Sequence, residues 1–146
     1  MPAIPTPKSE LMDRPVFDLP ALVRRAMDNR QLAAELVEKF TARLPQSVDD
    51  IRRLLASCDL PAAAAKVHTL KGEAGSLAAT QLHAAAARLE QCLRAGRQQE
   101  AAGPLRDVQA SASECLAACE LALSQLAAEA DGNPPTEWTP DANTHR

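Results

Sequence analysis

Seven large apolar residues, Leu32, Leu36, Phe40, Leu44, Val48, Ile51 and Leu55, recur at steps of three and four along one stretch of this chain. An α-helix turns once every 3.6 residues or so, so this spacing gathers them on one helical face. A strand would divide the same set between its two faces. The stretch must therefore form a long helix that buries one side. Composition extends the argument to the whole chain. Of 146 residues, 46% are hydrophobic but only 2% are aromatic, so the core is built from Leu, Val, Ile and alanine. Alanine and leucine favour helix, and the residues that favour strands are scarce. The length suits one domain with one core.

The punctuation predicts the other helices. A short helix is expected over Leu19–Asp28, opened by Asp18, with Pro20 tolerated in a first turn that needs no amide donor. Asp28 then caps the long helix, with Gln31 completing a capping box. Pro45 leaves the apolar stripe in phase, which predicts a kink rather than a break. "SCDLP" stops that helix and starts the next, with Asp59 or Leu60 as cap and Pro61 in the first turn. This third helix is expected from Leu60 to Ala78. Thr80 caps a fourth, which ends at Gly96, and the last spans Gln98–Ala128, its start delayed or bent by Gly103-Pro104. Short links between long amphipathic helices predict an all-α, antiparallel up-down four-helix bundle with a short extra N-terminal helix. Residues 1–15 and 130–146, rich in proline and polar residues, are expected to be disordered, with Trp138 isolated in the tail.

The segment "VHTLKGEAGS" is the anomaly. It places Gly72 and Gly75 in a helix interior, where each is less favourable than alanine by about 1 kcal/mol. On a helical wheel with His68 at zero, Gly72 falls at about 40°, Gly75 at about −20°, Ala64 at about −40° and Ala79 at about 20°. Leu70, Ala74 and Leu77 lie on the opposite side. His68 should then stand outward on a strip with almost no side chains, flanked by Lys71. A neutral imidazole is a competent nucleophile near pH 7, and a neighbouring ammonium offsets charge on phosphoryl oxygens. A cleared surface admits a macromolecular donor. Phosphoryl transfer fits that combination.

"HTLKGEAGSLAA" resembles the phosphoacceptor motif of histidine-containing phosphotransfer (HPt) domains, H-x-L-K-G-x-[AS]-x-x-[LIV]-G. The resemblance covers about Val16 to Leu126. It implies His68 as phosphoacceptor, Lys71 as the phosphate-facing lysine, Gly72 as the glycine that clears the approach, Gly75 and Ser76 as small residues, and Leu77 as the buried aliphatic. Ala78 departs from the motif's last glycine, which puts the helix-end geometry in question. Glu90 falls where relatives carry a Gln or Glu that hydrogen-bonds the histidine, although Arg94 four residues later competes for it. Ala64, Gly72, Gly75, Ser76 and Ala79 would form the partner face.

The resemblance implies a phosphocarrier that relays between aspartates of response-regulator receiver domains, or takes phosphate from a sensor or hybrid histidine kinase. Magnesium would sit on the receiver, with no cofactor of the chain's own. The proline that follows the histidine in kinase dimerisation domains is absent, as are nucleotide-binding motifs, so the chain should not phosphorylate itself from ATP. It reads as a free-standing monomer or as the C-terminal piece of a hybrid kinase. An adaptor that binds a receiver without transfer is the alternative, and the presence of His68 argues against it. A hydrolase built on His68 and Glu90 lacks a nucleophile and an oxyanion site.

Other features are bland. The net charge is −3, and no basic patch with interleaved aromatics supports nucleic-acid binding. No apolar run reaches the roughly 18 residues of a membrane span, and no signal peptide is evident, which predicts a cytoplasmic location. Cys58, Cys92, Cys115 and Cys119 lack metal-site spacing and read as free thiols acting as small buried hydrophobes. His83 and His145 are assigned no role.

Overall fold

The computed structural model describes residues 15–130, and these form helices with no strand among them. The helices are α1 (Leu19–Arg25), α2 (Arg30–Ala56), α3 (Leu60–Ser76), α4 (Thr80–Arg94) and α5 (Ala102–Ala130), with a 3₁₀ turn at Gln98–Glu100 before the last. The terminal segments expected to be disordered lie outside the described residues, apart from Pro15 and Ala130, and so do Trp138 and His145.

Each long helix packs on the next, and α5 closes the ring against α2. Cross-links give the directions. Arg43 pairs with Glu73 while Asp50, further along α2, pairs with Lys66, earlier in α3. Gly75 meets His83 while His68 meets Glu90, so α3 and α4 also run antiparallel. The four long helices form the expected all-α bundle. Its core holds Leu44, Ile51, Val67, Leu70, Leu82, Leu89, Val108 and Leu126, with Ala33, Ala63, Ala74, Ala85 and Ala86 fully buried between them. The alanines let the backbones approach closely. α3 and α4 make the most extensive contact.

Several helix ends follow the sequence. The side chain of Asp18 accepts the Ala21 amide, that of Asp59 accepts the Ala62 amide, and Gly96 adopts φ +74 after α4. α2 runs through Pro45 without a break. Others differ. α1 stops at Arg25, and Asp28 does not cap α2. Met27 and Asp28 take left-handed backbone, with φ 58 and 62, and the Asp28 amide closes onto the Val23 carbonyl. A cap residue needs extended backbone, which Asn29 supplies, and its side chain accepts the Leu32 amide. Thr80 is not a cap either. Its hydroxyl donates to the Pro15 carbonyl, which also accepts the Gln81 amide, so an upstream strand of backbone satisfies the start of α4. α3 ends at Ser76 rather than Ala78, and Ala78 takes φ +63 while its carbonyl accepts the Asp18 amide. The chain after Gly96 makes a 3₁₀ turn before α5, which starts at Ala102 rather than Gln98.

The apolar stripe of α2 also turns out to be partly out of phase. Leu32 and Leu36 are exposed, at 39% and 36%, while Ala33 and Val37 carry the burial on those turns. Both series fit helical spacing and converge at Phe40. The smaller residues face the close-packed interior, and the leucines are left on the surface, Leu36 beside α3.

Cys115 and Cys119 are buried with their sulfurs 3.9 Å apart, whereas Cys92 is half-buried and Cys58 exposed. The hydrogen bond it shares with Cys119, and then burial, push the Cys115 thiol up, so it stays protonated. Among the described residues, no cluster of His, Cys, Asp and Glu could hold a metal ion, and no helix is long and apolar enough to cross a membrane.

Candidate functional site

α3 owes its position to caps at both ends. Asp59 fixes its start, and at its end Arg25 donates to the carbonyls of Gly75 and Ser76 at 2.6 and 3.1 Å. Val67, Leu70 and Ala74 face the core, which turns His68 outward with 61% of its side chain exposed. α4 runs back alongside and brings Glu90 under the imidazole.

Glu90 is the centre of the site. Its side chain is only 9% exposed. His68 Nδ1 lies 2.9 Å from Oε2, Arg94 Nε lies 2.8 Å from the same oxygen, and Lys71 Nζ lies 2.8 Å from Oε1. Burial by itself pushes the Glu90 carboxyl up. Hydrogen bonds from Lys71, Arg94 and His68 outweigh it and hold the group at about 2. At neutral pH Glu90 is therefore a carboxylate, which can only accept. The proton of a neutral His68 must sit on Nδ1, leaving the lone pair on Nε2. Nε2 has no hydrogen-bond partner among the described residues. The contact with His68 and the competing ion pair with Arg94 thus coexist on one carboxylate.

The two glycines of α3 do different things. A Cβ at Gly72 would meet nothing within 4 Å, and the residue is exposed. It leaves open space one turn from His68. A Cβ at Gly75 would stand 3.0 Å from Nδ1 of His83. His83 is not bland: its Nδ1–H donates to the Lys71 carbonyl at 3.0 Å, and its ring packs where a side chain on residue 75 would be. Gly75 serves helix packing.

The expected partner face needs correction in other places too. Ala64 is buried at 5% and Ala79 at 0%. Residue 79 lies beyond the end of α3, where a helical wheel no longer applies, and α4 covers the side of α3 that holds Ala64 and Gly75. Ser76 is exposed. Leu77 is buried, as the motif implies.

The exposed surface beside His68 lies toward α2 instead. An open groove there is lined by Leu36, Lys39, Phe40 and Arg43 from α2, facing His68 and Gly72. Arg43 is paired with Glu73 at 3.1 Å across it. The sequence reading missed Leu36, Lys39 and Arg43. The overlap of two helical series in α2 was the signal that the leucines need not be core.

The arrangement presents one unpartnered imidazole nitrogen, a carboxylate fixing its other nitrogen, and two cations beside it. No curated protein and no solved structure matches the chain significantly. The family model for the Hpt domain matches residues 35–129, a span that contains α3 and α4 whole and every residue bonded to Glu90. The chain belongs to the Hpt domain family, whose members serve phosphotransfer in two-component signalling.

Proposed function

We propose that this chain is a phosphocarrier whose His68 Nε2 takes a phosphoryl group from a receiver-domain aspartyl phosphate, or from a sensor or hybrid histidine kinase, and passes it to the aspartate of another receiver. The observation that carries this reading is the engaged Nδ1 and the unpartnered Nε2 of an exposed imidazole. In the forward step, the Nε2 lone pair attacks phosphorus. The Nε2–P bond forms, the bond from phosphorus to the aspartyl oxygen breaks, and its electron pair leaves on the carboxylate. The Nδ1 proton stays in place, and Glu90 stabilises the positive charge that grows on the ring. Lys71, one turn along α3, is near enough to turn from Glu90 toward the phosphoryl oxygens. Magnesium for the reaction would come with the receiver.

The open space at Gly72 and the groove toward α2 suit the approach of a folded domain. Leu36 and Phe40 offer it apolar contact, and Lys39 offers charge complementary to an acidic phosphoacceptor site. We take the chain to act as a cytoplasmic monomer. No catalytic apparatus for cleaving ATP is part of this reading.

The test is transfer from a panel of phosphorylated receiver domains of the same organism. His68→Gln should keep its thermal stability and accept no label. His83→Gln should still accept it. Label on His68→Gln at the wild-type level would refute the assignment.

A further inference from the structure

Glu90 creates a problem for the reaction it supports. A carboxylate bonded to Nδ1 orients the imidazole, but it also favours the protonated ring, and an imidazolium has no lone pair with which to attack phosphorus. The structure holds a compensating feature. Arg94 Nε sits 2.8 Å from Oε2, the same oxygen that takes His68 Nδ1, and Lys71 occupies Oε1. Two cations against one carboxylate leave the cluster net positive before the imidazole is counted.

We propose that Arg94 is a positioning residue for His68: by sharing Oε2 it fixes the carboxylate beneath the imidazole and offsets its charge, so that Glu90 sets the tautomer without protonating the ring. This rests on the reading of His68 as the acceptor. Arg94 does not touch His68 and acts through Glu90. Its side chain is 57% exposed, and Nε is its only group bonded to a described residue, so the bond to Glu90 is its one anchor. Lys71 cannot fill this role alone, because it is the cation that would turn toward the phosphoryl group. Once it leaves Oε1, Arg94 is the charge that remains on Glu90.

Other charges face His68 as well. On its own helix these are Lys71 and Glu73, on α4 Glu90 and Arg94, and across the groove from α2 Lys39 and Arg43. Arg43 and Glu73 pair with each other. Of these groups, Lys71 and Arg94 are the cations bonded to the carboxylate beneath the imidazole.

The experiment is an NMR titration of the His68 ring protons in the full chain, for wild type, Arg94→Gln, Arg94→Lys, Glu90→Gln and the double variant Glu90→Gln/Arg94→Gln. Arg94→Gln should move the His68 midpoint to higher pH, and Arg94→Lys should restore most of the wild-type midpoint. In the Glu90→Gln background the loss of Arg94 should move it much less. Where transfer is measured, Arg94→Gln should slow the reaction about threefold more at pH 6 than at pH 8, the sign of a lost neutral fraction rather than a damaged fold. An unmoved midpoint in Arg94→Gln overturns the proposal. So does an equal shift with and without Glu90, since Arg94 would then act directly on the ring. The titration needs no partner. If wild type proved unable to carry phosphoryl, the proposed function would fall while the titration still decided what Arg94 does.

Discussion

Glu90 is half-hidden chemistry: a carboxylate inside the bundle surface, bonded to an imidazole, an ammonium and a guanidinium at once. Its carboxyl is held at about 2, below its ordinary range near 4.3. A depressed carboxyl stabilises the fold fully above its unfolded value, and that contribution is lost as pH falls toward the folded value. Glu90→Gln should therefore be less stable than wild type at pH 7, on the order of 1–3 kcal/mol after allowing for the exposed partners. The gap should close between about pH 4.5 and 2. Urea melts at pH 7, 4 and 3 measure it, and a gap independent of pH would contradict the network. Transfer should respond differently. Glu90→Gln keeps an oxygen for Nδ1 and should transfer nearly as wild type, whereas Glu90→Ala should slow it about tenfold, which is about 1.4 kcal/mol of lost positioning. The glycines separate in the same way. Gly72→Ala should stabilise the chain by up to about 1 kcal/mol, because its Cβ enters open space, and Gly75→Ala should gain less, because it must displace the His83 ring. Gly72→Leu should fold and yet transfer poorly, since its side chain would stand in the approach to His68. A thermal melt and a transfer assay on the three variants test this. Of these residues, His68, Lys71, Gly72 and Glu90 were legible from the motif and its spacing. Gly75, Ala64 and Ala79 were misplaced because a wheel treats a helix as an isolated cylinder and does not know which neighbour will cover it.

At the scale of elements, most boundaries were legible where one residue does one job. Asp18 and Asp59 cap through their own side chains, and Gly96 takes the positive φ that ends α4. The failures share a cause. Asp28 and Thr80 have the right chemistry for caps, but long-range backbone bonds and left-handed turns decided their positions. Sequence spacing does not report either. The loop between α1 and α2 gives a direct check. Met27 is 88% exposed and held at φ 58, a conformation that is costly for a residue with a Cβ. Met27→Gly should raise stability by about 0.5–1 kcal/mol, since no packing is lost and the strain is relieved. Thermal denaturation reads it, and a fall in stability would mean that Met27 makes a contact in solution that its exposure does not suggest. The phase of α2 was the larger misreading. Size favoured Leu32 and Leu36 as core, yet the tight interior took Ala33 and Val37. Of the displaced leucines, Leu36 joins Phe40 and Leu77 in the apolar wall of the groove beside His68.

For the whole molecule, the bundle's task is to hold α3 and α4 in one antiparallel register. Gly75 against His83 at one end, and His68 over Glu90 at the other, fix how far α4 slides along α3. A shift of one turn would carry Glu90 away from the imidazole by about 5.4 Å. The all-α class and the bundle were legible from composition and helical periodicity, because few other folds bury alanine-rich faces. The placement of the groove beside His68 was not, because it depends on which face of α2 lies against α3. The central claim is that Nε2 of His68 is the atom that carries phosphoryl. The most direct measurement is heteronuclear NMR of the ¹⁵N-labelled chain after phosphorylation by a cognate receiver, which reports which ring nitrogen is bonded to phosphorus. The account predicts phosphorus on Nε2 of His68 with Nδ1 still protonated; phosphorus on Nδ1, or on His83, would contradict it.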